Sequence, residues 1–167
     1  MVLHCGTHIV FRDLHPEDDV LYPQFHAHVS AADRRLRFFS PAPISQRQIY
    51  RLTHFNSDDA VARAAVGEVD GQLYGVSRLH RMDGTTGEFG VMVRSDLKGC
   101  GLGRRLLEQV IERAPCIGVS QVIGLILPEN AGMLALAHEL GFETRPDPDE
   151  AGVIRASLDL SRPRLAA

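Results

Sequence analysis

The sequence predicts an α/β fold, a central and mostly antiparallel mixed sheet with helices on both faces, in a single domain spanning residues 1–167 with its core at about 9–160. Three observations carry this expectation. Short apolar or alternating runs are joined by the Asp-Gly pairs Asp70-Gly71 and Asp83-Gly84, the chemistry of tight turns in a strand meander. Segments with apolar residues at helical spacing lie before and after that meander. The short, almost wholly apolar run Val119–Leu127 sits between Gly118 and Pro128, as a strand covered on both faces does.

Taken in order, Ile9–Leu14 reads as a first strand. Pro16 suits the first turn of a helix, with Glu17, Asp18 and Asp19 favourable at its positive end. Val20, Leu21, Phe25 and Val29 then form its apolar stripe. A second helical piece starts at Ser30 and carries Arg34, Arg35 and Arg37 among Leu36, Phe38 and Phe39; Pro41 and Pro43 end it. Its arginines read as a solvated face. Ser45-Gln46-Arg47-Gln48 has the form of a capping box and opens a helix to about Thr53. Ala60–Val69 and Leu73–Leu79 pair across Asp70-Gly71, read as a type I′ turn, and Glu88–Val93 follows antiparallel after Asp83-Gly84. Leu102, Leu106, Leu107, Val110 and Ile111 recur at helical spacing to about Ala114. Asn130 opens a last helix, Ala131–Leu140, with Gly141 as its cap, and Phe142–Thr144 and Val153–Leu160 close the sheet as a hairpin.

Composition narrows the function. Hydrophobic residues are 44% and charged residues 23%, ordinary for a globular domain, and the net charge of −3 lacks the basic excess of a nucleic-acid binder. No apolar run approaches the roughly 18 residues of a membrane span, and the first residues lack the basic start and apolar core of a signal peptide, so a cytoplasmic location is expected. Cys5, Cys100 and Cys116 are odd in number and have no C-x-x-C spacing, against a disulfide framework or zinc site. A metal site at the histidine pairs His4…His8 and His26-Ala27-His28 would want carboxylate or cysteine company at helical or hairpin spacing, and these histidines read as solvated or capping residues. No metal is expected.

The chemistry concentrates between Glu88 and Leu107: a strand, a loop containing Gly99, Gly101 and Gly103, and the start of a helix. Such a loop presents backbone N–H groups at the positive end of a helix dipole, a ready site for phosphate oxygens. The dinucleotide fingerprint needs a third glycine at 104, where the chain has Arg104, and no glycine precedes Lys-Ser or Lys-Thr as a triphosphate loop requires. Along the strand, Glu88 shares a face with Gly90 and Met92, opposite Phe89, Val91 and Val93. If the latter three face the core, Glu88 faces the site, and Gly90 leaves space beside it.

Val91-Met92-Val93, four residues, then Lys98-Gly99-Cys100-Gly101-Leu102-Gly103 resembles the acyl-CoA loop of the GNAT superfamily of N-acetyltransferases, V-x-[VI]-x4-[QR]-x-x-G-x-[GA], departing from it at Lys98. A second family mark is similar to Asn130, Met133 and Leu140-Gly141-Phe142. The resemblance covers nearly the whole chain and implies the GNAT acyl-CoA N-acyltransferase fold, with acetyl-CoA as cosubstrate. It implies that Val91, Met92 and Val93 pair with the pantetheine arm. The amides of Gly99, Cys100, Gly101, Leu102, Gly103 and Arg104 would hold the pyrophosphate beside Lys98, and Asn130 and Met133 would line the arm. Glu88 is the implied general base. A base is needed because a lysine amine is on the order of 0.1% neutral or less at pH 7. Many members place a tyrosine acid three residues before Leu-Gly-Phe; here that position is Ala137. Phe11–Asp18, Asp33–Pro41, Glu88–Val91 and Met133–Ala137 look like one branch, the catalytic domain of bacterial Pat-type protein lysine acetyltransferases, which implies a protein lysine acceptor and an acyl-CoA synthetase as partner. A small amine acceptor and a non-catalytic acyl-CoA sensor remain as alternatives.

Overall fold

The computed structural model describes residues 1–162. Seven strands form one sheet in the order β1-β2-β3-β4-β5-β7-β6. They are β1 (Ile9–Asp13), β2 (Ala60–Gly67), β3 (Leu73–Asp83), β4 (Thr86–Val93), β5 (Gln121–Ile126), β6 (Glu143–Pro146) and β7 (Ile154–Asp159). The helices are α1 (Tyr22–Ala27), α2 (Ala31–Phe38), α3 (Gln46–Thr53), α4 (Leu102–Arg113) and α5 (Ala131–Glu139). All neighbouring strands run antiparallel except β4 and β5. The expected mixed sheet with helices on both faces is what forms.

Side-chain alternation divides the core into two. Phe89 and Val91 of β4 join Leu106, Leu107 and Val110 of α4 on one face, a cluster that extends to α5 through Ala137. Met92, one residue out of phase, joins Tyr22 and Phe25 of α1 and Ile49 of α3 on the other. Burying large aliphatic and aromatic side chains on both faces, at about 1.5–3 kcal/mol each, is what makes the sheet a rigid support for a site.

Several local expectations are corrected. The turns after Pro16 form a 3₁₀ helix, Pro16–Leu21, before α1 begins. Its tighter winding carries Val20 into solvent, and the buried stripe falls on Tyr22, Phe25 and Val29. Asp18 is drawn inward here, accepting two bonds of 2.7 Å from the Arg12 guanidinium. α2 ends before the prolines, at Phe39, whose φ of 60° breaks the helical path. The Asp70-Gly71 turn is not type I′, which needs positive φ at both residues. Gly71 has φ 66° and is the one residue of the pair in that region. Asp70 instead accepts from the Gln72 N–H and the Tyr74 hydroxyl, which stabilises a longer loop. The capping box at Ser45 and the Asn130 cap both form as expected.

Candidate active site

The sheet is interrupted where β4 and β5 meet. They pair for three residues only, Thr86↔Gln121, Gly87↔Val122 and Glu88↔Ile123, and then part. The next position explains the parting: the Phe89 ring lies across Gly124 of β5, in space that a side chain there would fill. Phe89 is held in place edge-on to Phe142, with ring centroids 5.4 Å apart. Beyond Glu88, β4 stays paired with β3 on one edge and is free on the other. A cleft of about 920 Å³ opens there, lined by Glu88 to Val93, the glycine loop, and the start of α5.

At one end of the cleft Gly99 and Gly101 take φ of 78° and 82°, a conformation that costs most residues a Cβ clash. Gly101 is the N-cap of α4 and offers no capping side chain. The first-turn amides of Leu102, Gly103 and Arg104 are thus left for a ligand. Gly103 faces the strand, where a Cβ would make ordinary contact with a Val93 methyl at 3.7 Å. Leu102 contributes only its amide, because its side chain is in the core.

Other expected loop contacts differ. Cys100 does not line the cleft; its N–H donates to the Leu97 carbonyl at 3.4 Å and its side chain packs against the core. Lys98 is turned toward α2 and paired with Asp33. Burial raises the Asp33 carboxyl's pKa, but bonds from Lys98 and Ser95 outweigh that and hold it below its ordinary value. The Arg104 side chain binds Glu108 at 3.0 Å and Glu139 of α5 at 2.7 Å. Asn130 caps α5 by accepting from the Met133 N–H at 3.2 Å, and both residues line the cleft.

At the other end stands Glu88, half-buried, on the face that carries Gly90. The space beside Gly90 is not empty. A Cβ there would lie 2.7 Å from Nε of Arg37 and closer still to its Cζ and Nη2. Arg37 is therefore not on a solvated face: it reaches from α2 across Gly90 into the cleft wall. Burial pulls its pKa below the ordinary arginine value, and the Glu88 charge opposes that shift. Arg34 is also half-buried, bound to the Val29 and Pro41 carbonyls, while Arg35 pairs with Glu129 across the cleft. The residue that sequence reasoning missed is Arg37. The one signal for it was Gly90, a glycine inside a strand, which marks the close approach of something else.

His26 departs from expectation too. It is buried among Tyr22, Phe25 and Phe38, with neither ring nitrogen partnered. Burial, aided by the Arg34 charge, depresses its pKa to about 4. Among the described residues no helix is long and apolar enough to cross a membrane.

The profile of the acetyltransferase (GNAT) family matches residues 29–142. The chain belongs to that family. It is 42% identical over 84 residues to an L-methionine sulfoximine/L-methionine sulfone acetyltransferase of Pseudomonas aeruginosa, a match covering 50% of this chain and 49% of that one. The chain thus spans about half the length of the curated relatives it matches. Among solved structures, the GNAT domain of S. lividans PAT superposes with a TM-score of 0.86 at 26% identity, over 96% of this chain and 95% of that one. The structure of yncA from Salmonella typhimurium with its cofactor acetyl-CoA gives 0.71 at 18% identity, over 96% and 99%.

Proposed function

We propose that this GNAT domain transfers the acetyl group of acetyl-CoA directly to a primary amine, with Glu88 as general base. The observation that carries the reading is the position of Glu88. It is the last β4 residue paired with β5, and it faces the same cleft that runs to the free amides of α4. The pyrophosphate would sit on the amides of Leu102 to Arg104 and the pantetheine arm along the free edge of Val91–Val93. The amine nitrogen attacks the thioester carbonyl carbon; its C–N bond forms, the C–S bond breaks, and Glu88 accepts the amine proton directly or through one water. A strand N–H at the parting point can polarise the carbonyl. With Ala137 in place of an acid, the leaving thiolate takes its proton from solvent.

Two acceptor classes have support. The sequence resemblance to Pat-type protein lysine acetyltransferases, beside the full-length likeness to the GNAT domain of S. lividans PAT, supports a protein lysine, such as one on an acyl-CoA synthetase. The 42% identity to a methionine sulfoximine acetyltransferase supports a small amine. Glu88→Gln should keep CoA binding, measured by calorimetry, and lower turnover by roughly 10²–10⁴-fold. Unchanged turnover across the pH range removes Glu88 from the reaction. Tight CoA binding without transfer to any amine, free or in acetyl-CoA-treated cell extract read by mass spectrometry, favours a sensor instead.

A further inference from the structure

We propose that Arg37 and Arg78 form an oxyanion subsite beside Glu88 that takes the carboxylate of an α-amino-acid acceptor. This rests on the direct-transfer reading and follows its small-amine branch.

The two arginines reach one chamber from separate elements, Arg78 with its guanidinium over the Phe55 ring. Arg78 of β3 is the cross-strand partner of Gly90, so its side chain leaves the sheet on the face of Gly90 and Glu88. Arg37 descends onto the same glycine from α2. Both line a small chamber behind Gly90, walled by Tyr22, His26, Phe38 and Met92, and Arg37, Phe38, Gly90 and Met92 are shared with the main cleft. The chamber, about 20 Å³, thus adjoins the cleft beside Gly90, and Arg37 borders both.

The hydrogen bonding there is incomplete. Arg78 donates through Nη1 to the Arg51 carbonyl at 3.0 Å, but its buried Nε has no acceptor. Among the described residues, the neighbouring Arg34 and Arg35 have oxygen partners, whereas Arg37 has none. Buried N–H donors are almost always satisfied, and guanidiniums most strongly by paired oxygens.

Charge points the same way. Burial pulls both arginines below their ordinary pKa, and the Arg78 charge works further against Arg37. Glu88 is the facing carboxylate, Tyr22 is kept neutral by burial, and His26 is neutral above about pH 4. The Glu88 charge thus acts on Arg37, and Arg78 adds a second positive charge beside it, which favours one more negative group at Arg37.

Spacing selects which anion. Glu88 and Gly90 are two residues apart on one strand face, about 6.5 Å. An α-amino acid carries its amine and carboxylate on a single carbon, so it can meet oppositely charged side chains from such neighbouring positions at once through charge-assisted hydrogen bonds. The amine then lies on Glu88 and the carboxylate on the arginines. A lysine side chain in a protein carries no anion near its amine and leaves the arginines unmet. CoA phosphates are held at the opposite end of β4.

The test compares the twenty L-α-amino acids with their α-amides and with Nα-acetyl-lysine amide, following release of the CoA thiol by the wild-type protein. We expect at least one amino acid to be acetylated with kcat/KM at least tenfold above that of its amide. Arg37→Ala should erase most of that preference by lowering the acid's kcat/KM more than the amide's, and Arg37→Lys should restore part of it. The wild-type comparison needs no variant, so a misfolded Arg37→Ala leaves the proposal open to refutation. Amides as good as acids, equal loss on both in a folded variant, or transfer to the lysine amide alone would overturn the subsite. In each of those cases a Glu88-dependent rate keeps the transfer reading; the absence of Glu88-dependent transfer to any amine overturns both.

Discussion

Gly124→Ala probes the parting of β4 and β5 with a single methyl group. A Cβ on Gly124 would lie 3.0 Å from Cδ1 of Phe89 and nearer still to Cε1 and Cζ, against a comfortable carbon–carbon separation of about 3.5–4.0 Å. The ring must therefore move by at least about 1 Å. It cannot do so freely, being 7% exposed and packed against Phe142. Overpacking of this kind costs about 1–3 kcal/mol, which for a domain of this size lowers Tm by roughly 2–12 °C. Because Phe89 is bonded to Glu88, the disturbance reaches the base, and kcat should fall by roughly tenfold or more. The assay is thermal unfolding by circular dichroism, paired with steady-state acetyl transfer. Gly132→Ala is the control: its Cβ meets nothing within 4 Å, and it should gain up to about 1 kcal/mol from helix propensity. A Gly124→Ala protein with unchanged Tm would refute the account of why the strands part.

Asn130→Ala removes the cap of α5 and should cost about 1 kcal/mol, seen as a lower urea midpoint with an unchanged m-value. His26 links stability to pH. Its folded pKa of about 4 lies below the unfolded value near 6.5, so the unfolded chain binds more protons between them. This contribution is fully present above pH 6.5 and is lost as pH falls toward 4; His26→Phe should flatten that slope relative to wild type, and equal slopes would disprove the linkage.

What could be read from the sequence was what local chemistry decides. Ser45 and Gln48, Asn130 and Gly141, and Gly101 at the head of α4 each act on backbone within a few residues, so their pattern names their role. Phe89, Val91 and Val93 alternate with Glu88, Gly90 and Met92, and two-residue periodicity sent each set to its own face. Less was legible where distant segments meet. The insertion of β7 between β5 and β6 depends on how α5 crosses the sheet. The inward turn of His26 depends on Tyr22 and Phe38 closing around it. Arg34, Arg35 and Arg37 look alike in a short helix, yet one ties the chain ends of α2, one reaches across the cleft, and one lies on a strand glycine.

α2 gives the site its coherence for that reason. None of its residues is fully buried, so little hydrophobic burial fixes where it sits. Polar contacts do so instead: Asp33 to Lys98 and Ser95 at the loop end, Arg35 to Glu129 across the mouth, and Arg37 against Gly90 at the base. Exposed pairs such as Arg35–Glu129 contribute about 0–1 kcal/mol, too little to lock a helix. The Arg37 guanidinium is different in kind, because it lies half-buried on Gly90 with no oxygen partner among the described residues. The position of α2 is then settled most firmly when an anion occupies the subsite. If the proposed subsite holds the acceptor, its binding is linked through α2 to the glycine loop that Lys98 and Ser95 join to Asp33.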